Sequence, residues 1–388
     1  MKVVQALLLA VLVGFGVHDS QAQITMGFLE LHSQPRIHAL GEATVAMRGY
    51  QGAMDINPAT VGDDETAQIG GNVGTGAGPF FANEWASDSF FLQNAWISTA
   101  STSVKRGPWG GALQLKNYST GPIQVRDERG VSQGTFEIQE WALTAAGAYD
   151  VTDAFTVGAG LKLLRSKTAP DESETTAALD LGLHYRRSYA TEVVQLRPAL
   201  GWSLSNFGPK VDYGADVEQA LPMTMRLGTG VDLASTQTWR RRPVFQLGVY
   251  GALSKRLYNV RGDRFDWTVD GPFRTLFSTG WTPVRGAVGP NGQYDRVSVW
   301  EQTVRHAGVD LRLFDILSLQ WGRFYEAEAA GGDQYTGYGF GIDLYYLELE
   351  HSWAETEEEF RDNSFWRVTA QIPLQWDDSR NFWQPLLE

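Results

Sequence analysis

The sequence predicts an all-β fold: a transmembrane antiparallel β-barrel of about 14 strands, preceded by an N-terminal hatch or plug segment. Three observations carry this. Apolar residues recur at every second position over runs of ten or more residues. Connections after even-numbered runs are short and those after odd-numbered runs mostly longer, notably 75–89, 119–133, 206–220, 259–293 and 356–363. After residue 23 no window approaches ~18 consecutive apolar residues, which excludes a bundle of spanning helices.

Composition narrows the function. The 388 residues include 45 acidic and 32 basic ones, a net charge of −13. Phosphate contacts need clustered Lys and Arg, so no nucleic-acid partner is expected. There is no cysteine, which excludes disulfides, thiolate metal sites, a Cys nucleophile and a lipid anchor on Cys. Glycine (42) and tryptophan (14) are abundant. Curved, crowded sheets use the first and membrane interfaces the second.

Residues 1–23 read as a cleaved signal peptide. Lys2 precedes the apolar run 3–17, and Gln21-Ala22-Gln23 forms a small, polar cleavage region. The run is shorter than the ~20 residues of a spanning helix, which argues against an anchor. The expected location is the outer membrane of a Gram-negative bacterium, in contact with its lipid and lipopolysaccharide.

Residues 24–65 show no strand alternation and are apolar enough to fold. Two placements suit such a segment: inside the lumen as a hatch, or packed beneath the barrel. Asn57-Pro58 marks a turn within it.

Residues 66–376 are the barrel. Strands are expected near 66–74, 90–104, 109–118, 134–150, 154–168, 174–187, 192–205, 221–236, 241–258, 294–314, 316–328, 335–344, 347–355 and 364–376. Phe155, Val157, Ala159, Leu161 and Leu163 alternate with Thr156, Gly158, Gly160 and Lys162. Near Tyr345 the apolar phase switches parity, which a tight turn explains. Trp366 and Trp376 lie ten residues apart on one face. At ~3.3 Å per residue and ~40° tilt they are about 25 Å apart in height, the thickness of an outer-membrane apolar band. Trp141 and Tyr149 repeat the arrangement. Residues 377–388 form a C-terminal tail beyond the last strand.

The other face is polar: Lys162, Asp180, Arg186, Asp310, Arg312, Arg367 and Gln371 are expected in the lumen. His184 joins them as a solvated residue. His32 and His38, six apart with Glu30 and Glu42 nearby, suit hatch hydrogen bonding better than a metal site, which needs converging ligands and support behind them. Ser352 adjoins His351, but strand neighbours point to opposite faces, so they make no hydrolase pair. The glycine-rich stretch 70–79 lacks the Lys-Ser/Thr step of a phosphate loop. The acidic run 355–360 suits either cation bridging to lipopolysaccharide or plain solvation. The loop 259–293 carries Trp267, Phe273, Phe277 and Trp281, as either a protein-contact surface or a cap over the barrel mouth.

Two motifs resemble a known family. Arg36, Leu40-Gly41-Glu42-Ala43 and Asn57-Pro58-Ala59 resemble the hatch of FadL-like barrels, including the PorV/PorQ proteins of type IX secretion. Asn206, Gly208-Pro209, Leu221-Pro222 and Arg226-Leu227-Gly228 resemble a PorV/PorQ loop and strand. The resemblance is scattered over most of the mature chain, and the C-terminal tail departs from it. It implies a non-catalytic, cofactor-free barrel that hands on cargo of type IX secretion, with cargo, attachment or translocon proteins as partners. FadL-like relatives imply the alternative, a transporter for hydrophobic small molecules.

Overall fold

The computed structural model describes residues 25–62, 66–75, 96–126, 132–169, 172–213, 218–239, 242–257, 260–263, 266–288, 294–344, 346–356 and 364–373. Fourteen long antiparallel strands close into a barrel. They are β1 (Thr66–Thr75), β2 (Trp96–Arg106), β3 (Trp109–Ser119), β4 (Gln139–Thr152), β5 (Phe155–Ala169), β6 (Glu172–Arg186) and β7 (Val194–Phe207). Then follow β8 (Thr224–Ser235), β9 (Phe245–Arg256), β10 (Thr303–Leu313), β11 (Leu317–Tyr325), β12 (Gln334–Asp343), β13 (Leu347–Thr356) and β14 (Ser364–Pro373). Each strand pairs with its sequence neighbours, and β1 closes the ring against β14 from Thr66↔Pro373 to Thr75↔Ser364. Closure satisfies every ladder without an open edge, which lets strands cross lipid.

All fourteen expected strands are present. The largest described difference in a boundary is at β10: residues 294–297 instead pair with Val284–Val288 as a hairpin inside the preceding loop. They form a strand, but in another sheet. The parity switch near Tyr345 is a turn, with the Leu344 N–H donating to the Leu347 carbonyl at 2.8 Å. Trp376 and the tail 377–388 lie outside the described residues, as do residues 1–24, expected as a signal peptide, and most of the acidic run.

The outward face is the expected one. Leu161 on β5 is 57% exposed and Leu163 43%, while Lys162 and Leu164 between and beside them are buried. Ile69, Leu113, Leu143, Leu227 and Val368 are exposed likewise on their strands. Such a belt of bare aliphatic side chains suits hydrocarbon and not water. Trp141, Tyr149 and Trp366 share this face, and Tyr149 lies 4.5 Å from Trp109 between ring centres.

Residues 25–62 lie inside the barrel. Thr25 starts at the long-loop end, its N–H donating to the Ala220 carbonyl. Gly62 ends at the short-turn end beside Val104 and Lys105. Between them a short helix, α1 (Pro35–Ala39), and a chain of single turns fill the lumen. All but Gly27, Arg48 and Gly49 are buried. The wall meets this segment with glycine. A Cβ on Gly322 would sit 2.1 Å from the Leu40 carbonyl carbon, on Gly158 2.3 Å from Ala59 N, and on Gly201 2.2 Å from Val45 O. Part of the glycine excess therefore serves close backbone contact with the inner segment, beyond sheet curvature.

Candidate functional site in the lumen

The lumen has two levels, one held by charge and one by apolar packing. At the first, α1 projects Arg36 towards β13. Its Nη2 lies 2.9 Å from Glu348 Oε1 and 2.7 Å from Glu350 Oε1. Arg367 on β14 completes the cluster, 3.1 Å from Glu350 Oε2. It also donates to the Gln51 carbonyl at 3.0 Å and to Thr369 Oγ1 at 2.9 Å. All four charged side chains are buried. Taking charges from water costs several kcal/mol each, and the arrangement persists because two guanidiniums face two carboxylates as close ion pairs.

Further ties fix the rest of the segment. Lys116 Nζ lies 3.4 Å from Asp55 Oδ1 and donates to the Leu31 carbonyl at 3.2 Å. Arg48 and Lys105 share Asp150, at 3.1 and 2.9 Å. Three wall residues meet the segment directly. Ser352 Oγ lies 3.2 Å from His38 Nδ1, His306 Nδ1 lies 2.8 Å from the Gly41 carbonyl, and His184 Nε2 lies 3.1 Å from the Ala46 carbonyl. The carbonyls accept, so these wall nitrogens carry the proton. His184 was expected to be solvated. It is 1% exposed, because the inner segment displaces lumen water from it.

The first motif forms the turns of this segment. Gly41 has φ +58°, and a Cβ there would lie 2.6 Å from the Arg323 backbone. Glu42 follows at φ +65°, with Oε2 3.8 Å from His32 Nε2. Burial pushes the Glu42 carboxyl up to about 7 and pulls His38 down to about 3. Asn57 caps its own turn, its Oδ1 accepting from the Ala59 N–H at 3.0 Å while Nδ2 donates to Val45 and Leu183 carbonyls. Pro58 and Ala59 lie on Gly158 and Gly182.

The second motif shapes the wall beside the segment. Asn206, at φ +60°, sits in a bulge where β7 loses register against β6 between Leu204 and Phe207. Its N–H donates to Asp180, its Oδ1 accepts from Lys162 at 2.6 Å, and its Nδ2 donates to the Pro222 carbonyl at 3.0 Å. Lys162 and Asp180 pair at 2.8 Å. Arg226 donates to Ser205 Oγ at 3.2 Å and faces His32 Nε2 at the same distance. A Cβ on Gly228 would meet Val45 Cβ at 2.7 Å, and one on Gly208 would meet the Ala177 carbonyl at 2.6 Å. Pro209 follows Gly208 in the loop that carries Leu221 into the lumen's apolar level.

That level lies at the long-loop end. Met26, Phe28, Leu29 and Leu31 occupy it, against inward Ile97, Tyr118, Leu164 and Phe365 and against Val211 and Leu221 from the loop. Polar ties to its residues include Thr25 to Tyr213 Oη at 2.6 Å, Glu30 to Arg256 at 2.8 Å and to Thr224 at 3.0 Å, and the Lys116 bond to the Leu31 carbonyl at 3.2 Å.

Sequence reading missed Glu348 and Glu350. The outward phase of Leu347 and Leu349 already placed both in the lumen, but their partner Arg36 lies more than three hundred positions away. His351 and Ser352 do point apart: His351 stacks outward on Trp366 at 4.0 Å, and Ser352 faces His38. Among the described residues no group of three or more His, Cys, Asp or Glu could hold a metal ion.

No family model matches the chain, and no curated protein matches it. Solved barrels align over most of its length. The toluene transporter TbuX of Ralstonia pickettii has 11% identity, covering 88% of this chain and 98% of its own, at TM-score 0.46. The toluene transporter TodX of Pseudomonas putida has 11% identity, 92% and 99% coverage, and TM-score 0.41. A Pseudomonas aeruginosa FadL homologue has 11% identity, 93% and 100% coverage, and TM-score 0.40. Values this low carry no argument about activity. The fourteen-stranded barrel of this chain rests on its own closed strand order.

Proposed function

We propose that the protein is a non-catalytic outer-membrane barrel whose N-terminal hatch gates passage of a hydrophobic small molecule. One observation carries the reading: the outer end of the lumen is an apolar compartment filled by the chain's own Met26, Phe28, Leu29 and Leu31. An apolar ligand would replace those contacts at little cost, since burial is non-directional and scales with area. Residues 25–31 carry one ion pair, Glu30 with the half-buried Arg256, whereas residues 35–62 are held by several buried ones. The first part can therefore yield first, and the second follows only when its ion pairs break.

The test is uptake of a tritiated long-chain hydrocarbon by cells with and without the protein. Phe28→Asp, which expels the segment from the compartment, is expected to raise uptake in cells that assemble the barrel normally. Equal uptake with and without the protein would contradict the reading.

A second reading keeps the type IX role, with secretion cargo and attachment or translocon proteins as partners. The charged level of the lumen favours it, because Arg36, Arg367, Glu348 and Glu350 hold the plug shut and offer an apolar solute no path. Capture of those proteins from outer membranes, with no hydrocarbon uptake, would decide for it.

A further inference from the structure

The outward phase of β7 contains Leu200, Trp202 and Leu204, while Gly201 faces Val45 inside. Leu200 is 54% exposed, as a lipid-facing residue is, yet Leu204 is 2% exposed. The same reversal occurs on β9. Outward Leu253 is 37% exposed, but Lys255 and Leu257, further along the same phase, are buried. Something covers the outside of the wall here, and it is the loop between β9 and β10. Its helix α2 (Pro272–Phe277) sets Leu276 against Leu204, Met223, Met225 and Leu257 and buries Thr275. A Cβ on Gly280, just after it, would meet Leu257 Cβ at 3.2 Å. This part of the loop is therefore folded down over the barrel's flank rather than over its mouth.

Phe273 and Phe277 on α2 are 68% and 78% exposed. Phe273 meets Phe207 edge-on at 5.0 Å, and Phe207 pairs with Leu179, an exposed residue of the lipid-facing belt. Leu196 to Leu204 is eight residues of rise, about 20 Å along the barrel axis, so α2 sits at the upper edge of a ~25 Å apolar band. Its phenylalanines thus continue an apolar surface that already faces lipid. The Arg274 side chain between them is 58% exposed and lies 3.6 Å from Asp270. The Trp281 indole N–H donates to the Leu276 carbonyl at 2.7 Å, satisfying one of the helix's last carbonyls.

We infer that α2 is a membrane-contact element: Phe273 and Phe277 insert among acyl chains at the outer-leaflet interface and hold the loop on the barrel flank. An interfacial helix with one apolar side buried at headgroup depth behaves in this way.

The chain has no cysteine, so Phe277→Cys gives a single spin-label position, and its exposure makes the change harmless to folding. The full chain is reconstituted in phosphatidylethanolamine–phosphatidylglycerol bilayers, with Leu200→Cys and Arg187→Cys as lipid and water references. At position 277 collisions with oxygen are expected to be high and those with nickel-EDDA severalfold lower than at 187. Nickel collisions equal to those at 187 would overturn the inference. So would a label in native outer membranes shielded from both reagents, which would mean that a protein covers the helix. Phe273→Cys must follow the same pattern.

Discussion

Replacing Arg36 by Met should unseat the hatch. The change removes one of two guanidiniums from a cluster in which Glu348 and Glu350 are both buried. Arg367 alone then faces two carboxylates, and it already donates to Gln51 and Thr369. Breaking a buried pair by removing one partner costs about 3–5 kcal/mol. At about 1.4 kcal/mol per tenfold, the unseated fraction rises by roughly two to three and a half powers of ten. Arg48→Met is the control. Its partner Asp150 keeps Lys105 at 2.9 Å and is partly exposed, so the cost is about 1 kcal/mol or less. The assay is hydrogen exchange read by mass spectrometry on peptides from residues 25–62, in bilayers. Arg36→Met should exchange far faster across 35–62, with the barrel strands unchanged. Adding Glu348→Gln should restore part of the protection. Unchanged exchange in Arg36→Met, or equal effects of the two arginine changes, would refute the reasoning.

Other expectations follow from the same contacts. Gly322→Val places side-chain carbon where the Leu40 backbone now lies, so the barrel should assemble with the hatch displaced, read as increased permeability to a large antibiotic. Asn206→Ala loses two side-chain hydrogen bonds, to Lys162 and to the Pro222 carbonyl, and a residue type tolerant of φ +60°, at a cost of about 2–4 kcal/mol, read as a lower unfolding midpoint. Glu42 gives a pH dependence. Its carboxyl is raised from 4.5 to about 7, so the seated state binds that proton more tightly than the free segment does. Its contribution is complete below about pH 4.5 and is lost as pH rises through 7. Residues 38–46 should therefore exchange faster at pH 8 than at pH 5, after correction for intrinsic rates, and Glu42→Gln should flatten that difference. Identical slopes in both proteins would assign the effect elsewhere.

Strand number and strand phase were legible because lipid imposes a strict period of two. Leu161 and Leu163 announce their face without reference to any other strand. The lumen was legible only as a set of polar positions. Which charge meets which depends on how residues 25–62 thread the barrel, and that joins Arg36 to Glu348 and Asp55 to Lys116 across long separations. His184 was misjudged for the same reason, since its environment is set by Ala46 and not by its strand neighbours. The aromatics of the loop after β9 were visible, but their placement was not. Phe273 and Phe277 look like a protein surface or a cap until Leu204 and Leu257 are seen buried on the outside of the wall.

The central claim is that an apolar ligand and residues 26–31 compete for one compartment. The most direct measurement is hydrogen exchange of residues 25–31 in lipid nanodiscs, with and without a saturating long-chain hydrocarbon. Faster exchange over 25–31 is expected on addition of the hydrocarbon, with residues 35–62 still protected. Unchanged exchange over 25–31 at saturation would contradict it.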